Sequence, residues 1–304
     1  MRALDRPPPG DVGLIALAVA AVSTSAPLVR YAAAPALAVA FWRNALGSAV
    51  VVPWAWARCR AELRALSRRE LRLSAYAGLL LAAHFATWIP SLSFTSVASS
   101  VALVAVQPVW AALIARWRGE RIPGFVWVGI WVAVLGAVVL SGIDLTISAR
   151  ALFGDALALV GGLLAAAYLT VGVEVRRTVS TASYTAVCYP AAALALLALT
   201  LVARQPLLGY SGKTWLCLAG LTVGAQLLGH TVFNSVLRTT SATVVSIAIL
   251  FEIVGAALIA ALPPISEQPP LAAIPAAALI AAGIVLVVRS GDRQSSVPVV
   301  PISE

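Results

Sequence analysis

Four polar residues, Thr222, Gln226, His230 and Asn234, recur every fourth position within an otherwise apolar stretch. That spacing lays them along one face of a helix, while Leu221, Val223, Leu227, Leu228 and Val232 fall on the others. A second stretch repeats the idea with His84 and Trp88, i and i+4, next to Thr87. Imidazole, amide and carboxamide groups donate and accept hydrogen bonds, and Trp88 and Phe233 add aromatic walls. The set suits recognition of a small neutral or zwitterionic solute. A helix-packing hydrogen bond explains either histidine alone, but four successive polar turns are more than packing needs. Catalysis finds no support: the only two histidines lack a His-Glu-x-x-His spacing, and no phosphate-binding glycine loop is present. Cys59, Cys188 and Cys217 have no metal-ligand spacing, so no metal and no cofactor is expected.

Three further groups carry charge or break a helix. Gln107 precedes Pro108, whose missing amide hydrogen frees a carbonyl and permits a kink. Glu252 is an acidic residue well inside an apolar stretch, a candidate proton-binding group or one held by a nearby hydroxyl. Arg43 is a cation inside another, expected to pair with backbone carbonyls near a helix end or with a carboxylate of the solute. Ser23, Ser25, Pro27 and Tyr168 are expected to border the same space.

The elements that hold these residues are set by the solvent. Of 304 residues 61% are hydrophobic and 11% charged, with mean hydropathy +0.95. Soluble domains are about a quarter charged, so this chain has too little polar surface to face water. Measured against the roughly 20 apolar residues that cross a bilayer, it offers ten spans: 12–29, 35–57, 71–92, 95–115, 124–143, 151–173, 183–203, 214–237, 241–262 and 271–288. Ser91, Ser93, Thr95 and Ser96 split one long uncharged run into a hairpin, and Pro263, Pro264, Pro269 and Pro270 separate the last two spans. The first stretch is not read as a cleavable signal, because it can span and lacks a small-x-small site.

Basic residues orient the chain. With the N-terminus inside, sixteen of the 21 Arg and Lys fall in inner segments. Arg30, Arg150, Arg204 and Lys213 fall in outer ones, and Arg43 lies within a span. Both termini are therefore expected in the cytoplasm of a multi-pass protein of a bacterial inner membrane. Residues 290–304 read as a disordered cytoplasmic tail.

The chain also repeats itself. Shifted by 145, Gln107–Ala115 lies over Glu252–Ala260 with six of nine residues identical. The same shift pairs Thr95-Ser96 with Thr240-Ser241 and Trp88 with Phe233, and brings His84 within one place of His230. After a two-residue slip, Gly136 lies over Gly283. Five crossings is an odd number, so the second copy enters the membrane inverted. The fold class expected is all-α: ten transmembrane helices in two inverted five-helix repeats, 12–143 and 151–289. Such halves can expose a midplane site to each side in turn. A central cavity is expected where the two histidines face each other.

With Arg43 in the second span, Gly119-Glu120-Arg121 after the fourth, and Gly154-Asp155-Ala156 leading through Ala165-Ala166-Ala167-Tyr168 to Arg176-Arg177, the chain resembles the EamA domains of the drug/metabolite transporter superfamily. The second repeat departs from the pattern at Ile253, which stands where the first has Pro108, and at Ser266-Glu267-Gln268. The resemblance implies a secondary transporter, closest in kind to bacterial amino-acid and metabolite exporters of the YddG type, working by alternating access. Its substrate site would comprise His84, Trp88, Gln226, His230, Asn234, Gln107 and Tyr168, with Glu252 and Arg43 in coupling or structural roles. The expected partners are a small-molecule substrate and the lipid bilayer, without nucleic acid and with no oligomeric partner required. The alternatives are a proton-coupled exporter of nucleoside-like or cationic compounds and, more remotely, a membrane scaffold or intramembrane enzyme.

Overall fold

The computed structural model describes residues 9–119, 124–230, 232, 236, 248–249, 251–268, 271 and 273–295, and every regular element among them is helical. Helices α1 (Pro9–Ser23) and α2 (Ser25–Ala32) form the first span, with a break at Thr24. There the Thr24 hydroxyl donates to the Ala21 carbonyl at 2.7 Å. Helices α3 (Ala36–Ala65) and α4 (Arg68–Ser91) follow. The fourth span is broken as Pro108 suggests: α5 (Val97–Val104) ends, two residues turn, and α6 (Gln107–Trp117) begins. Helix α7 (Gly124–Ile147) closes the first repeat.

The second repeat comprises α8 (Ala149–Val175), α9 (Thr181–Val202), α10 (Gly212–Gly220), a π-helix over Leu221–His230, α11 (Phe251–Ala261) and α12 (Ala273–Ser295). Helix occupies most of the described part of each of the ten apolar stretches. Among the described residues six helical segments, two of them the broken pairs α1/α2 and α5/α6, are long and apolar enough to cross a membrane, and Gly124–Val139, Phe251–Ala261 and Ile274–Leu286 are shorter apolar segments. Helix α12 runs into the stretch expected to be disordered, as far as Ser295, and the rest of that tail lies outside the described residues.

Local chemistry sets the starts. Ser67, Ser96, Ser148, Ser180 and Ser211 each accept a hydrogen bond from the backbone N–H three residues on, satisfying an amide the helix leaves free. Ser67 and Glu70 complete a capping box. Ser96, in the expected hairpin turn, therefore starts α5 rather than merely interrupting a longer helix.

The distribution of side chains is that of a protein in lipid. Ala26, Ala38, Ala40, Ala77 and Ala158 are wholly buried, whereas Leu194, Val202, Leu216 and Leu258 are largely exposed. In water each exposed leucine or valine would forgo about 1.5–3 kcal/mol of burial; against acyl chains that cost disappears. Small residues instead line the helix contacts, where they let backbones approach.

Those contacts carry the symmetry of the repeat. Helix α4 packs on α8, and α1 packs on the π-helix; α5 packs on α8, and α1 on α11. Exchanging the repeats converts each contact into its partner, while the α3–α9 and α7–α12 pairs map onto themselves. The last pair shows it at atomic detail. A Cβ on Gly136 would lie 2.7 Å from Ile280 N and 2.9 Å from Ala276 O, and one on Gly283 would lie 2.4 Å from Ala133 N and 2.6 Å from Gly129 O. Gly129, Ala133 and Gly136 stand 147 residues before Ala276, Ile280 and Gly283. The contact is thus reciprocal and antiparallel, as an inverted repeat requires.

Candidate functional site

The first, second, third, fourth, eighth and ninth spans line a cavity of about 70 Å³. Each repeat contributes polar walls: Ser25, Arg43, His84 and Gln107 from the first, Glu252 from the second. Phe85, Trp88, Val22, Val104 and Ala225 complete the lining. Six residues singled out in the sequence (Ser25, Arg43, His84, Trp88, Gln107 and Glu252) therefore meet at one place.

Arg43 lies near the middle of the apolar part of α3 and is 1% exposed. Backbone carbonyls at a helix end were its expected partners. The structure instead gives it side chains, because Ser25 and Gln226 on facing helices stand within reach of its guanidinium. Its Nε donates to Gln226 Oε1 at 2.8 Å and its Nη1 to Ser25 Oγ at 3.1 Å. The guanidinium stands 4.4 Å from the centre of the Phe85 ring, a cation–π contact worth about 0.5–2 kcal/mol.

Gln226 is not on the cavity surface. It is 2% exposed and stands behind Arg43. Its Nε2 is 3.5 Å from Asn44 Oδ1, and Asn44 Nδ2 donates to the Ala40 carbonyl at 2.8 Å. A Cβ on Gly47 would lie 3.1 Å from Gln226 Nε2, so the glycine leaves room for the carboxamide. Asn44, Gly47 and Phe85 carry no signal of their own in the sequence, although Arg43-Asn44 is a polar pair within an apolar stretch.

His84 is fixed by its other ring nitrogen. Nδ1 lies 2.9 Å from the Gly161 carbonyl, which only accepts, so Nδ1 bears the proton. In the neutral ring Nε2 is then an acceptor. The imidazole stacks on Trp88 at 5.7 Å between centroids and 6° between planes. The Trp88 indole N–H is buried without a hydrogen-bond partner among the described residues.

Three members of the polar row, Thr222, Gln226 and His230, lie in the π-helix, whose i→i+5 bonding widens the turn and keeps residues four apart close to one line. Thr222 is buried, with its hydroxyl donating to the Leu218 carbonyl at 2.9 Å; Val223 and Leu228 are exposed, whereas Leu221 is fully buried. Asn234, Phe233 and the His230 side chain lie outside the described residues. Tyr168 does not border the cavity; it is half-buried on α8 in the environment of Cys188 and Tyr189 of α9. Ser25 does border it, and Ser23 packs against Gly255 of α11.

Cross-repeat bonds tie both ends of the bundle. At the Arg-rich end, Glu62 accepts from Ser180 N at 2.6 Å and Ser180 Oγ at 2.7 Å, Glu70 accepts from Thr178 Oγ1 at 2.7 Å, and Arg69 pairs with Glu174 at 3.1 Å. At the other end Arg30 pairs with Glu267 at 2.9 Å, Trp42 Nε1 donates to the Leu207 carbonyl at 2.8 Å, and Thr214 Oγ1 donates to the Ala32 carbonyl at 2.9 Å.

A family model described as "EamA-like transporter family" matches residues 11–142 and again residues 152–289. A solved structure titled only "Crystal structure of protein" superposes with a TM-score of 0.65 at 19% identity, covering 95% of this chain and 99% of the other. At that identity the likeness speaks for the fold. Among curated proteins none matches.

Proposed function

The chain belongs to the EamA-like transporter family, with one copy of the domain in each repeat, and from that premise we propose that it exports amino acids or closely related metabolites across the bacterial inner membrane by alternating access. The observation that carries this reading is the disposition of Arg43 and Glu252. They come from opposite repeats and line one cavity, yet no ion pair joins them among the described residues. A cation and a carboxyl group from opposite repeats, not joined in an ion pair, offer complementary ends to a zwitterion. The carboxylate of an amino acid would take the Arg43 side, and its ammonium would take Glu252 and the His84 Nε2 acceptor. Phe85 and Trp88 would receive an apolar side chain. The unpartnered Trp88 N–H is a donor whose desolvation a polar ligand atom would offset, about 1–3 kcal/mol.

At about 70 Å³ the cavity has the volume of roughly two waters. An amino acid is larger than this space, so the walls would part further to admit one. The bonds at both ends are the ones such opening would break, on one side at a time. With the Arg-rich loops inside, the Arg30–Glu267 end faces outward and both termini face the cytoplasm.

A second reading makes the carrier proton-coupled, through Glu252, which has no ion-pair partner among the described residues and borders the cavity. One experiment addresses both. Purified protein in liposomes is offered a panel of labelled amino acids, nucleosides and cationic compounds, with and without an imposed pH gradient. Saturable amino-acid flux supports the proposal, and flux of only another class overturns the substrate. Dependence on the gradient separates coupled from uncoupled transport.

A further inference from the structure

The outward end of the same spans holds a second cavity, of about 550 Å³, unrelated to the central one in its chemistry. Arg30 and Tyr31 at the end of α2, Lys213 at the start of α10, and Glu267 in the loop after α11 form its walls. Lys213 Nζ stands 3.7 Å from the centre of the Tyr31 ring. It is the only lysine in the chain, it is exposed, and among the described residues no carboxylate pairs with it. Arg30 does have a carboxylate, that of Glu267 at 2.9 Å, with the two side chains 35% and 16% exposed. Glu267 also accepts from the Val97 N–H at the start of α5 and donates its own N–H to the Ala260 carbonyl.

We propose that this vestibule is a binding site for the carboxylate of a solute, held between Lys213 and Arg30, with the solute taking the place of Glu267 on Arg30. The charges favour an anion: two cations face one carboxylate, and Glu267 keeps its Val97 partner when Arg30 leaves. The Tyr31 ring holds Lys213 at the wall while leaving its ammonium protons free for a ligand. An Arg–Glu pair open to water on its Arg30 side is worth a modest free energy, so a second carboxylate at higher local concentration can compete. Because Glu267 links the first span to the loop after the ninth and to the fourth, the exchange also loosens the outward end. The identification of the solute with the exported amino acid rests on the function proposed above; the carboxylate site itself does not.

The single lysine makes the test specific. Protein reconstituted in uncharged phosphatidylcholine vesicles is treated with a membrane-impermeant acylating reagent, and modification of Lys213 is read by peptide mass spectrometry. The probes are 4-methylpentanoate and its neutral amide, neither of which consumes the reagent, at constant ionic strength. The acid should slow acylation by at least about threefold at saturation and the amide should not. Arg30→Gln should abolish the protection, and Glu267→Gln should produce it at lower concentrations of acid. Equal effects of acid and amide, no effect of either, or an unchanged concentration dependence in Glu267→Gln overturns the proposal. Protection without amino-acid transport removes the exported substrate as the solute and leaves the site standing. Amino-acid transport without protection removes the site alone.

Discussion

Arg43 and Gln226, one from each repeat, form a buried hydrogen-bonded unit, Nε to Oε1 at 2.8 Å. The bond fixes the guanidinium against the Phe85 face and beside Ser25, and it crosses the boundary between the two repeats. A positive charge in a low-dielectric interior is tolerated only when its donors are engaged, so the pair is both a structural joint and the frame of the cavity.

Removing the acceptor should therefore be costly. Gln226→Leu leaves a buried Arg43 donor unpaired, for which about 1–3 kcal/mol is the expected order. It should lower the thermal unfolding temperature in detergent by several degrees. Gln226→Glu should fold, because the acceptor remains, but a carboxylate already on Arg43 competes with that of a substrate. Labelled amino-acid uptake into vesicles should fall about tenfold, which corresponds to 1.4 kcal/mol. Unchanged uptake in the glutamate variant would show that Arg43 does not meet the substrate.

His84 offers a cleaner separation of folding from binding. Its ring makes one hydrogen bond, to the Gly161 carbonyl at 2.9 Å, while its other nitrogen is an acceptor at the cavity. His84→Ala should reduce transport about tenfold with little change in folded yield, assessed by monodisperse elution. Loss of folding without a separable transport defect would assign the ring to packing.

Glu252→Gln removes the titrating proton and keeps a side chain of the same shape. If flux through the native carrier responds to an imposed pH gradient, this variant should lose the response yet still exchange substrate at equilibrium. A gradient response that persists in the variant excludes Glu252 as the coupling group.

The glycine contact predicts matched losses. Gly136→Ala and Gly283→Ala each push a methyl group into the backbone of the facing helix, at 2.7 Å from Ile280 N and 2.4 Å from Ala133 N. Overpacking of this kind costs about 1–3 kcal/mol. The two substitutions should lower the unfolding temperature by similar amounts, and the double variant should fall short of their sum because both act at one interface. Strongly unequal losses would argue against equivalent roles for the two helices.

The residues of the central cavity were only partly visible in the chain. Polar groups are rare in the apolar stretches, and this alone picked out Arg43, His84, Gln107 and Glu252. It could not say that Gln226 stands behind Arg43 rather than on the cavity surface, nor that Tyr168 faces α9. It also missed Phe85, which looks like any apolar residue until a guanidinium is placed above it.

Hydrophobic run length, breakers and serine caps act within a few residues of one another, so the linear chain determined the membrane class, the helical stretches, the hairpin at Ser96 and the offset between repeats. The partner of Arg43 is 183 positions away, and that of His84 is 77 away. Which side chains meet at such separations depends on how closely two backbones approach, and small residues such as Gly47, Gly136 and Gly283 set that distance. Only the packed bundle decided it.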